Sequence, residues 1–183
     1  MSYRIEIRQG DLLDESDATF IVNASNTELK LGSGVSAAFR KHCGDELQDL
    51  MDNRRRELNA EGKNIHKSDA VLTPPGRAKN FVYAIHVAVM DYSGQGDVYP
   101  SSDTVQKALE NIEWVMREHT DVSADIKLVL PLMGCGVGGL DKKKVIEIYK
   151  RFFERDPGFE CRVVIYGHSE YDYGLIKKMF EFK

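Results

Sequence analysis

The chain is short of the residues that staple or sort a protein. It has three cysteines in 183 residues, Cys43, Cys135 and Cys161, an odd and scattered set. That argues against a disulfide framework, and without a CxxC pair it argues against a zinc ribbon. A reducing, cytoplasmic setting suits such cysteine usage. The five histidines (His42, His66, His86, His119 and His168) show no HxxxH spacing, so no metal site is expected. No cofactor is expected either. Excess positive charge is also missing: 25 Lys and Arg against 29 Asp and Glu leave a net charge of −4. This disfavours RNA as the main partner, and an anionic membrane surface with it. No apolar run nears membrane-spanning length, and the opening MSYRIEIRQGDLL lacks the apolar core of a signal peptide.

What is present is an alternation. β-branched and aromatic runs at residues 3–8, 19–22, 70–73, 81–87, 127–131 and 162–166 read as strands. Several are continuously apolar, as strands covered on both faces are. SAAFRKHCGDELQDLMDNRRREL predicts one helix to Cys43 and a second from Asp45, with Gly44 as a stop and Asp45 as a start cap. SSDTVQKALENIEWVMREH opens with cap residues and repeats apolar positions at Val105, Leu109, Ile112, Val115 and Met116. DKKKVIEIYKRFFE and YDYGLIKKMFEF supply two more helices. With no repeat or composition break, residues 1–183 read as one α/β domain with helices on both faces of a sheet. Arg54, Arg55 and Arg56, and Lys142, Lys143 and Lys144, read as solvated helix faces. GQGDV, residues 94–98, is the most loop-like segment.

In such sheets ligands bind beyond the carboxyl ends of the strands, where backbone amides and helix N-termini point outward. Four strand ends carry unusual residues. After the first strand comes GDLL, whose Asp11 is either an acceptor for an exocyclic amine or a turn aspartate bonding its own backbone. After the second comes VNASNTELKLGSGV. Asn23 and Asn26 suit a tight turn or ribose hydroxyls, and GSGV opens a helix whose first amides are unpaired. GSGV is neither a Walker loop nor GxGxxG. PLMGCGVGGLDKKKV again runs strand, glycine loop, helix, with Asp141 as cap. Two glycine loops facing each other would clamp a diphosphate from both sides. Last, Tyr166 ends VVIY and either stacks on a base or fills the core.

Taken in order, GDL, ATFIVNASN, GSGV, LVLPLMGCGVGGL and VVIY resemble the motifs of the macrodomain, or ADP-ribose-binding, family over nearly the whole chain. The resemblance implies a three-layer α/β/α fold around a mixed, mostly parallel sheet, with a cleft for ADP-ribose. In it Asp11 takes adenine N6 with the Leu12 amide nearby, Tyr166 stacks on adenine, and Asn26 holds the distal ribose, with Asn23 also among the ligand-binding residues. The amides of Ser33, Gly34 and Val35 form one phosphate wall. Those of Cys135, Gly136 and Val137, in a loop that also holds Gly134 and Gly138, form the other.

Two positions depart from the family pattern. The hydrolytic MacroD-like branch has an aspartate where Ser36 stands and an aromatic where Gly138 stands. The terminal ADP-ribose glycohydrolase-like branch, which the second loop resembles more, has an aspartate at Gly138 and a lysine without a counterpart here. Hydrolysis needs a positioned base or an activated water. Asn26 orienting a water, or the ligand's own phosphate, is what the resemblance leaves for that role. Cys135 reads as a small residue whose amide matters, with a nucleophilic thiol as the alternative. His86 reads as a core histidine and His42 as surface or partner-facing. The implied partner is ADP-ribose, free or on modified proteins, with or without hydrolysis of ADP-ribosyl or O-acetyl-ADP-ribose bonds. The alternatives are another adenine-containing ligand such as poly(A), and a non-catalytic interaction scaffold.

Overall fold

All six apolar runs form strands, and each helical pattern forms a helix. The computed structural model describes residues 1–121 and 123–181. In chain order the elements are β1 (Tyr3–Gln9), β2 (Ala18–Asn26), α1 (Val35–Cys43), α2 (Asp45–Ala60), β3 (Ala70–Thr73), β4 (Phe81–Met90), α3 (Ser102–His119), β5 (Ile126–Leu130), α4 (Lys142–Phe153), β6 (Cys161–Gly167) and α5 (Glu170–Glu181). The last helical pattern extends to Phe182, which lies outside the described residues.

The strands form one sheet in the order β1-β6-β5-β2-β4-β3. Every pairing is parallel except β3 with β4. The sheet is thus mixed and mostly parallel, as the motifs imply. On one face Phe39, Leu47 and Met51 of α1 and α2 pack with Ile21, Val129 and Val164. On the other, Val105, Leu109 and Ile112 of α3 and Ile146, Tyr149 and Phe152 of α4 pack with Phe20, Ile85 and Leu128. Helices cover both faces because these strands are apolar on both.

Gly44, at φ +78°, breaks the first helical stretch. It is itself the N-cap of α2, so Asp45 is the first helical residue and does not cap it. Ser101 caps α3 in a reciprocal box with Thr104, and Asp141 caps α4 by accepting from the Lys143 amide.

Candidate functional site

β2 and β5 are neighbours, yet they send the chain to opposite faces: β2 leads to α1 and β5 to α4. A crevice must open between the diverging connections, and both glycine loops border it.

The first connection is folded by Asn26. Its Oδ1 accepts from the amides of Glu28 (3.1 Å) and Lys30 (3.2 Å), and its Nδ2 donates to the Lys30 carbonyl (3.0 Å). Leu29 and Leu31 then anchor the loop in the core. Gly34 turns the chain into α1 at φ +62°, and among the described residues no side chain caps that helix. Its leading amides therefore face the crevice without a side-chain acceptor.

The second connection, residues 131–141, is rooted by Tyr149. Its hydroxyl donates to the Pro131 carbonyl (2.5 Å) and accepts from the Met133 amide (2.9 Å). Its glycines divide their work. Gly134 sits at φ +79°, and its carbonyl accepts from the Leu140 amide (2.9 Å). A Cβ on Gly138 would lie 2.6 Å from that same carbonyl oxygen. Both serve the loop's own fold, whereas Gly136 faces open space in the cleft. The Cys135 thiol turns inward towards the Met133 carbonyl, and burial pushes its pKa up to about 12. That outweighs the nearby Lys142 charge, which pulls the other way.

Between the loops lies a cavity of about 210 Å³. Asn26, Ser33, Gly34, Val35, Gly134, Gly136, Val137 and Gly138 line it, eight of the residues expected from the sequence, together with Ser36. Ala24, Ser25, Gly32, Val89, Met90, Tyr92, Pro131 and Leu132 were not foreseen there. Tyr92 follows β4, whose carboxyl end meets the same rim. The apolar run of β4 continues through Ala88, Val89 and Met90, and that run is the sequence signal for Tyr92 at the rim. Among the described residues, no Asp, Glu, His or Cys lines the cavity. Three larger hollows, of about 500, 470 and 280 Å³, lie beside α5, beside Trp114 and between α3 and α4, and none is lined by the glycine loops.

Asn23, Cys135, Asp11, Leu12 and Tyr166 are not part of that lining. Asn23 is fully buried beneath it. Ser36 Oγ donates to Asn23 Oδ1 (3.1 Å) and is also 3.2 Å from the Ala24 carbonyl. Asn23 Nδ2 lies 3.0 Å from His86 Nδ1, and His86 Nε2 lies 2.8 Å from Thr73 Oγ1, which donates to the Pro74 carbonyl (2.9 Å). Donation runs one way along this chain, which requires a neutral His86 protonated on Nε2. Burial holds His86 at about 3, in keeping with that form. His86 is thus the satisfied core histidine expected, while His42 bonds Asn80 and stacks on Phe81.

The ends of β1 and β6, which carry Asp11 and Tyr166, lie side by side further along the rim, where the Gly10 amide bonds the Gly167 carbonyl (3.0 Å). Asp11 Oδ1 accepts from the Leu13 amide (2.9 Å), the turn role, capping a single 3-10 turn at Leu12–Asp14. Tyr166 is 8 % exposed, and its hydroxyl donates to Glu15 Oε2 (2.6 Å). Burial and that bond raise the pKa of the hydroxyl. Glu15 also pairs with Lys127 (2.5 Å) and Arg8 (3.3 Å). Burial alone would raise the Glu15 carboxyl, but the bonds from Lys127 and Tyr166 outweigh it and hold the carboxyl below its ordinary value.

Known proteins resemble this chain in sequence and in fold. A Thermotoga maritima protein without an assigned function is 29 % identical over 149 residues, 81 % of this chain; the match spans only 23 % of that longer protein. A Bos taurus protein named ADP-ribose glycohydrolase is 23 % identical over 89 % of this chain and 91 % of its own length. The solved Oceanobacillus iheyensis macrodomain with ADP superposes with a TM-score of 0.77 at 21 % identity, covering 97 % of this chain and 90 % of that one. The family model for the Macro domain matches residues 22–149, and the chain belongs to that family.

Proposed function

We propose that the cleft binds ADP-ribose, free or attached to protein, by holding its diphosphate between the two glycine loops. One observation carries this reading: the uncapped start of α1 faces a second loop of bare backbone across the crevice between β2 and β5. A helix start and a glycine loop both present amide donors, which suit phosphate oxygens. In this reading the Ser33, Gly34 and Val35 amides form one wall and those of Cys135, Gly136 and Val137 the other. Asn26 and Tyr92 border the distal ribose. The adenine lies over the β6–β1 rim, where Asp11 Oδ2 takes N6, the Leu12 amide is adjacent, and the Tyr166 ring backs the base. Asn23 acts from beneath, through Ser36.

Binding rather than side-chain acid–base chemistry is the function the lining supports, since among the described residues it holds no carboxylate, imidazole or thiol. Hydrolysis is the second reading, favoured by the name of the bovine relative. It would run through a water held against the ligand's own phosphate or Asn26. Calorimetric titration with ADP-ribose, ADP and AMP tests the main reading. Binding that needs both phosphates and strengthens with the distal ribose supports it, and no heat with ADP-ribose from a folded sample overturns it. Incubation with mono-ADP-ribosylated protein then tests release.

A further inference from the structure

Ser25 has no place in the reading above, yet it is the odd polar group of the cleft. It is 4 % exposed, it lines the cavity, and its Oγ has no hydrogen-bond partner among the described residues. Buried hydroxyls are nearly always bonded, so an orphan at a candidate site asks for a partner that arrives with the ligand.

Its direction follows from the strand. Side chains two apart on a strand share a face, so Ser25 shares the face of Asn23. Asn23 meets Ser36 in the first turn of α1 (3.1 Å). Ser25, one step nearer the carboxyl end, thus lies beneath the uncapped start of α1, beside Gly34 and Val35 in the lining. The neighbouring hydroxyl is already committed, because Ser36 Oγ has one proton and donates it to Asn23 Oδ1, with the Ala24 carbonyl also in reach. Of these two hydroxyls, Ser25 retains the unused donor.

We propose that Ser25 is a ligand-binding residue whose hydroxyl donates to a phosphate oxygen held at the start of α1. The assignment rests on reading the cleft as an anion site. It adds a side-chain donor to a wall otherwise made of backbone. It also explains why a hydroxyl occupies a position where the fold itself gives it nothing to bond.

The test uses wild type, Ser25→Ala and the near-isosteric, weaker donor Ser25→Cys. Calorimetry with inorganic pyrophosphate, ADP, ADP-ribose and adenosine is paired with thermal melts of the ligand-free proteins. A lost bond to a charged oxygen should weaken pyrophosphate, ADP and ADP-ribose alike by about tenfold in Ser25→Ala, with Ser25→Cys also weakened and adenosine unaffected. The ligand-free Ser25→Ala protein should melt no lower than wild type, since no bond is removed from it. Unchanged affinities in Ser25→Ala overturn the proposal. So does weakening confined to ADP-ribose, which would put the hydroxyl at the distal ribose, and so does a lower melting temperature of the ligand-free variant. If wild type takes pyrophosphate in a Ser25-dependent way but not ADP-ribose, Ser25 stands and the ADP-ribose reading falls. If wild type takes neither, both fall.

Discussion

Ser36 Oγ donates to Asn23 Oδ1 across 3.1 Å, joining the first turn of α1 to the middle of β2. The residue that departs from the hydrolytic pattern is therefore a strut. It fixes the amide that in turn orients His86. Removing the hydroxyl leaves a buried carbonyl without its donor, at a cost of about 1–3 kcal/mol. Ser36→Ala should lower the urea midpoint accordingly, with an unchanged denaturant slope. Ser36→Asp should lower it further, because a carboxylate would face Asn23 Oδ1, acceptor to acceptor. A Ser36→Ala midpoint equal to wild type would show the strut to be idle.

Gly136 and Gly138 should respond to alanine in opposite ways. At Gly138 the new Cβ meets the Gly134 carbonyl oxygen at 2.6 Å and Pro100 Cγ at 2.9 Å, so the loop must move. Overpacking of this kind costs about 1–3 kcal/mol, and Gly138→Ala should lose that much stability. Gly136 has nothing within 4 Å of a Cβ. Gly136→Ala should keep its stability to within about 0.5 kcal/mol and, if the diphosphate sits as proposed, lose ADP-ribose affinity, because the methyl would stand between ligand and backbone. Equal stability of the two variants would refute this division. The same contact closes the Gly138 position to the aspartate that one branch of the family carries there.

Cys135 should be silent. Its thiol is driven up to about 12 by burial, so the nucleophilic thiolate is scarce at neutral pH. Iodoacetamide at pH 8 should label Cys135 in the unfolded protein and leave it unlabelled in the native one, read by mass spectrometry. Cys135→Ser should retain ADP-ribose binding. Rapid native labelling would reopen the thiol as a reactive group.

The sheet's centre is legible in the sequence because its strands are written in apolar side chains. Its carboxyl rim is not. The apolar pattern of the second strand stops at residue 22, but the strand runs to Asn26; the fourth, expected over 81–87, runs to Met90 because Ala88, Val89 and Met90 continue its apolar run. Polar Asn23 and Ser25 break the pattern, while the backbone ladder between β2 and β4 continues through them. Periodicity reports what side chains bury and is blind to where main-chain pairing ends. Ser25, hidden in this way, is a cleft residue, and so is Tyr92, which follows the apolar end of β4. The glycine loops are legible, since strand, glycine and helix follow in order. Which glycines the loop's own packing needs and which face open space is not, because that depends on Pro100 and Leu140 packed against them.

Acid should act on the same strut through His86. Its pKa falls from 6.5 unfolded to about 3 in the buried site. Between those values the unfolded chain binds a proton that the native one refuses. The stability this gives is complete above pH 6.5 and is lost as pH falls towards 3, at up to about 1.36 kcal/mol per pH unit. Protonated Nδ1 would also face the Asn23 Nδ2 donor, which ends the one-way chain. Glu15 acts in the same direction but lower. Its carboxyl is held beneath its ordinary 4.5, so its contribution disappears only as pH falls below that value. The stretch from pH 6.5 to 4.5 thus isolates His86. His86→Gln keeps one acceptor and one donor and cannot titrate. Urea unfolding across that stretch should show wild type losing stability more steeply than His86→Gln. Parallel slopes would mean that another group carries the acid response.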